Sequence, residues 1–177
     1  MKSLIEIAME AGAAGAGVAE VSDIQFRREF LAACEQNSCG RYGTCWMCPP
    51  DVGDIDEMIA RAKTYQHALV FQTIGQLEDS FDIEGMEAAA VAHNGLAQRI
   101  FDQLEGRFEN PIKLGAGACH VCPRCTKLDS LPCLYPDQAM ASLEAYGIAV
   151  SELAAASGLK YINGPDTVTF FGGLLFK

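Results

Sequence analysis

Eight cysteines stand in two groups of four along this chain of 177 residues: Cys34, Cys39, Cys45 and Cys48, then Cys119, Cys122, Cys125 and Cys133. Few chemistries tolerate so many clustered thiols. A chain of this length buries a sufficient core without crosslinks, so the cysteines are not needed as disulfide staples. The N-terminal stretch is interrupted by Glu6 and Glu10 and lacks the apolar run of a secretory leader. No segment reaches the roughly 18 to 20 apolar residues that span a bilayer. The expectation is a cytoplasmic protein with no membrane partner, in a compartment that keeps thiols reduced and uses cysteine clusters for metal or redox chemistry.

The second group has the sharper pattern, C-x2-C-x2-C-x7-C, with Pro136 just beyond Cys133. Three thiolates spaced by two residues wrap one short loop around a compact object, so they reach three iron corners of a cubane while a fourth arrives from further along. Bacterial ferredoxins use such a triple. A tetrahedral zinc site is usually built from two separated C-x2-C pairs, and a third cysteine at the same short spacing is awkward for one ion. A [4Fe–4S] cluster on Cys119, Cys122, Cys125 and Cys133 is therefore the leading reading, with zinc the alternative.

Cys34-x4-Cys39-x5-Cys45-x2-Cys48-Pro49 is less regular. Its four thiolates suit a second cluster or a zinc ion, and Cys45 as a spare thiol or ligands shared between the loops remain open. Arg41, Arg124 and Lys127 are placed to offset the charge of an anionic centre. The amides of Gly40, Gly43, Gly115 and Gly117 are placed either to donate to sulfur or simply to form turns. Trp46 and Tyr135 are candidates to shield the sites from water. His120, between two candidate ligands, is left outside the ligand set, and His93 reads as a core histidine on a helix stripe.

Half of the residues are hydrophobic (50%) and 20% are charged, the balance of a globular domain, here a single one over 1–177. The net charge of -10 excludes a nucleic-acid partner, which needs a basic footprint. An acidic surface suits solubility and also docking to a basic patch on a redox partner.

Hydrophobic periodicity predicts helices from Leu4 to Met9, from Ser22 through Leu31, after an Asp54 cap, from Glu84 to Arg107, from Asp137 to Tyr146 and after Ser151. Strands are expected at Gly17–Val21, Ala68–Phe71, Ile112–Leu114, Lys160–Ile162 and Thr167–Phe176, with Gly172-Gly173 marking a bulge or bend. The resulting fold class is α/β, a mixed sheet of about five strands covered by helices, with two cysteine-rich metal-binding loops. Gly12-x-x-Gly15-x-Gly17 follows a helix and precedes a strand, the reverse of the order a nucleotide loop requires.

Cys39-Gly40-Arg41-Tyr42-Gly43, Trp46-Met47-Cys48-Pro49-Pro50 and Gly115-Ala116-Gly117-Ala118-Cys119 with Cys122, Cys125 and Cys133 resemble a cysteine-rich family of predicted metal-binding proteins, domain of unknown function 2284. Ser142–Ile148 and Thr167–Gly172 share in the resemblance, which spans nearly the whole chain. It implies metal binding, of iron–sulfur type, in anaerobic or facultatively anaerobic microbes, and no known reaction. It also implies that Cys34, Cys39 and Cys48 are the typical cysteines of the first loop, which sets Cys45 apart. Where the family has an arginine after the last cysteine, this chain has Leu134.

No carboxylate pair or activated nucleophile stands out, so any catalysis would come from the metal. The functions these residues admit are an iron–sulfur electron-transfer protein or redox subunit with one or two clusters, a cluster-bearing enzyme with an open iron site for a small substrate, and a zinc-stabilised interaction module. An incomplete set such as Cys34, Cys39 and Cys48 would provide the open site.

Overall fold

The computed structural model describes residues 2–177. Helix α1 (Leu4–Ala11) opens with a capping box, the Ser3 hydroxyl and Glu6 carboxylate each satisfying the other residue's backbone N–H, and ends at Gly12 in the left-handed region. It leads into β1 (Gly15–Glu20). Past the first cysteine loop, α3 (Ile55–Ala62) starts at Asp54, whose carboxylate accepts from the amides of Asp56 and Glu57, as the sequence predicts. Strand β2 (His67–Gln76), the long helix α4 (Ile83–Gln103) and β3 (Ile112–Gly115) then lead to the second cysteine loop. The short strand β4 (Ala141–Ser142), helix α5 (Val150–Ala156) and strand β5 (Thr167–Phe176) complete the chain.

Among the described residues five strands form one mixed sheet in the order β1-β2-β5-β3-β4. Every pairing is antiparallel except β3 with β4. Alternation along the strands sorts the core into two layers. Val70, Phe171, Leu175 and Leu114 face α3 and α5, whereas Leu69, Phe71, Leu174 and Phe176 face α1 and α4. The sheet is thus sandwiched between helices, and no helix is long and apolar enough to cross a membrane among the described residues.

A parallel pair needs a crossover between its strands, normally a helix. Here residues 116–140, the second cysteine loop, make that crossover from β3 to β4. The loop begins and ends on neighbouring strands of a rigid sheet, so both of its ends are fixed.

Several local expectations give way to tertiary pairing. The helix expected from Ser22 is replaced by a single 3-10 turn, Val21–Asp23, and an extended segment. There the Arg27 amide donates to Gly147 O at 2.6 Å and the Ala149 amide to Gln25 O at 2.9 Å, which holds residues 25–27 extended; helix α2 is confined to Phe30–Glu35. The helix expected over Asp137–Tyr146 is β4 followed by a 3-10 turn at Glu144–Tyr146, because Ala141 and Ser142 pair with Leu114 and Gly115. Residues 160–162 form no strand.

Gly172 and Gly173 make no bulge, since β5 stays in register with β2 through both. Gly172 is required by packing: a Cβ there would lie 2.5 Å from Phe71 Cζ, while at Gly173 the nearest atom would be 3.3 Å away. His93 is fully buried beside Phe71, with Nδ1 2.9 Å from Thr73 Oγ1, and burial lowers its pKa to about 4. It is a neutral core imidazole, as the helix stripe predicts.

Candidate metal centre

The first loop hangs between α2, which carries Cys34 in its last turn, and α3. Asn37, Gly40 and Gly43 all adopt positive φ (52°, 69° and 68°), letting the chain reverse repeatedly in a few residues. The Gly40 amide donates to Asn37 O at 3.0 Å and the Gly43 amide to Pro49 O at 2.9 Å. The first closes a turn and the second ties the loop across to Pro49, so neither amide is free to donate to sulfur. The Cys48 amide donates to Cys45 O at 3.0 Å, which closes the C-x-x-C turn.

The second loop is anchored by a residue that periodicity alone does not single out. Asn94, buried on α4, donates through Nδ2 to Ala116 O at 3.0 Å and accepts the Ala116 amide on Oδ1 at 3.1 Å. A side-chain amide that pairs with both backbone groups of one residue fixes the two peptide planes on either side of Ala116, three positions before Cys119. The fit is close: a Cβ on Gly115 would lie 2.6 Å from Asn94 Oδ1. The available signal was a polar residue next to His93 on the face of a helix otherwise lined by Ala90, Ala97 and Ile100. At the far end, Gln98 Nε2 donates to Gln138 O at 2.7 Å.

Three contacts draw the two loops together. Trp46 Nε1 donates to Leu131 O at 3.0 Å, Lys127 pairs with Asp51, and the Lys127 ammonium sits 4.3 Å from the Trp46 ring centroid. The Lys127 and Asp51 side chains are only 24% and 17% exposed, so this ion pair is screened less than a surface one. Arg124 is likewise paired, with Asp129. Of the three cations expected near the cysteines, Arg41 alone makes no ion pair among the described residues.

Loop docking divides the eight thiols unequally. Cys119, Cys122, Cys125 and Cys133 line one small cavity, and Cys45 joins them there, with Trp46 and Tyr135 in the wall. Cys34, Cys39 and Cys48 line a separate cavity of about 570 Å³. Cys45 and Cys48 touch through their side chains at the boundary, and Cys45 also meets the Cys125 thiol and the Cys119 backbone. Contact with the Cys48 thiol lowers the pKa of Cys45, and the same contact, followed by burial, raises that of Cys48. Burial is also the main cause that raises Cys34 and Cys119.

All eight cysteines are free thiols. Cysteines are the only Cys, His, Asp or Glu side chains on the smaller cavity, which fits a thiophilic metal and not a hard cation, whereas Glu144 joins the three cysteines on the larger one. Among the described residues no three Cys, His, Asp or Glu side chains converge closely enough to hold a single ion. His120 lies on the second loop between Cys119 and Cys122; burial and then the charge of Arg41 lower its pKa.

The family model described as "Predicted metal-binding protein (DUF2284)" matches residues 18–176. No curated protein matches the chain, and no solved structure does.

Proposed function

We propose, on the premise that this chain belongs to the DUF2284 family of predicted metal-binding proteins, that the metal is iron held as a [4Fe–4S] cluster by Cys119, Cys122, Cys125 and Cys133. The observation that carries this reading is the gathering of those four sulfurs, with Cys45 as a fifth, on one small cavity walled by Trp46 and Tyr135. Four thiolates from one tight crossover loop match the ligand count of a cubane, and such a centre supplies one-electron transfer when bound.

The chain's own residues have definable tasks around that centre. Trp46 and Tyr135 exclude water, while the Lys127 ammonium, held by Asp51 between the loops, brings positive charge toward an anionic site. The role that fits is electron transfer or service as a redox subunit in the cytoplasm of an anaerobic microbe, by a single domain over 1–177. The net charge of -10 suits docking to a basic face on a protein redox partner.

A second reading applies to the other thiols. Cys34, Cys39 and Cys48 supply three sulfurs to one wall of the larger cavity, with no fourth cysteine there among the described residues. A cluster held by three cysteines at a cavity would leave one iron open to a small ligand, the feature that separates reactive centres from closed ones.

Reduction with dithionite checks the first reading. Protein purified without oxygen is expected to be brown, to bleach on reduction and to give a paramagnetic resonance signal of a reduced cluster. A colourless protein that gives no signal in either redox state contradicts it.

A further inference from the structure

We infer that the cavity bordered by Cys34, Cys39 and Cys48 binds a small organic monoacid with an apolar or aromatic body, its carboxylate on Arg41. The inference deepens the second reading above, since it names the class of ligand that would meet those thiols.

Size comes first. The cavity encloses about 570 Å³, inside the range of roughly 300–1,000 Å³ typical of small-molecule sites. Much of its wall is aromatic: Phe30, Tyr42, Tyr161, Phe170 and Phe171 all border it, and Tyr161 stacks on Phe171 with ring centroids 5.9 Å apart. Such walls favour a flat, apolar body.

Charge then selects the head group. Arg41 is the one cationic side chain in the wall, and no carboxylate neutralises it among the described residues. A guanidinium takes a carboxylate through two parallel N–H···O bonds, and the match is lost when the ligand is neutral. Glu144, also in the wall, acts on Cys34, whereas Arg41 acts on His120 of the second loop. Within this wall an acid is drawn to Arg41 and repelled by Glu144. With one cation and no glycine-rich loop opening a helix, the cavity lacks the means to hold a polyphosphate.

The test uses the full chain purified without oxygen and titrated calorimetrically with 4-phenylbutyrate and, separately, its neutral amide. The acid is expected to bind about tenfold or more tightly than the amide. Arg41→Gln should bring the two within about twofold of each other, Arg41→Lys should keep part of the preference, and Tyr161→Ala should weaken both probes. Equal binding of the two probes, binding of neither, or a preference that survives Arg41→Gln overturns the inference. Iron measured on the same samples keeps the two questions apart: iron-free protein with the acid preference intact would sink the metal reading alone, and iron-loaded protein without it would sink the monoacid site alone.

Discussion

Cys119→Ser, Cys122→Ser and Cys125→Ser each strip the second loop of its metal: iron and acid-labile sulfide fall by about four per chain, the content of one cubane. The size of the loss follows from how the ligands are held. All three thiols lie on one crossover loop and line one cavity with Cys133, so the site has no other sulfur of the same loop to substitute. Cys45→Ser is expected to behave differently. Its sulfur is the fifth in a cavity where four suffice, so iron should be largely retained, at a cost of about 1–3 kcal/mol for placing a hydroxyl where a nearly inaccessible thiol stood. Cys34→Ser and Cys39→Ser, on the wall of the other cavity, should leave the four-iron signal of the second loop intact. Iron and sulfide analysis of the purified variants checks each outcome, and equal losses from Cys45→Ser and Cys122→Ser would contradict the division of the thiols.

Asn94→Ala has the largest effect expected away from the cysteines. It deprives the Ala116 N–H and C=O of their partners inside the protein, and each unpaired buried group costs about 1–3 kcal/mol, so the sum is roughly 2–6 kcal/mol. Against a typical total stability of about 5–15 kcal/mol that is a large fraction. The loss also reaches the metal, because Ala116 is fixed just before Cys119 and a loop with a loose stem presents its ligands less well. Gln98→Ala serves as the comparison. It removes an exposed hydrogen bond from the same helix to the far end of the same loop, at Gln138, and should cost no more than about 1 kcal/mol. Urea denaturation with iron analysis separates them; matching midpoints for the two variants would show that the Asn94 clamp does not hold the loop.

How much of this was legible in the sequence depends on the range of the interactions. Helix α4 shows in the spacing of Ala90, His93, Ala97 and Ile100, and the α3 cap shows in Asp54, because periodicity and capping are local. Strand β4 was invisible: Ala141 and Ser142 sit in a run with helical spacing, and only their pairing with Leu114 and Gly115 extends them. The Gly172-Gly173 pair suggests a backbone irregularity, while the requirement, at Gly172, is steric and comes from the Phe71 ring on the neighbouring strand. In the candidate site, spacing marks the cysteines out as two groups of four. It did not divide them between two cavities. That division follows from the docking of one loop on the other through Trp46, Leu131, Asp51 and Lys127, contacts between residues far apart in the chain that no spacing encodes. Cys45, which the resemblance sets apart from the other cysteines of the first loop, lies beside Cys125 and among the thiols of the second loop.

The most direct measurement is the metal and sulfide content of wild-type protein prepared without oxygen. Iron and acid-labile sulfide in equal amounts, at about four or eight of each per chain and with zinc at trace levels, is the expected result. Zinc near one or two per chain with neither iron nor sulfide would contradict the account.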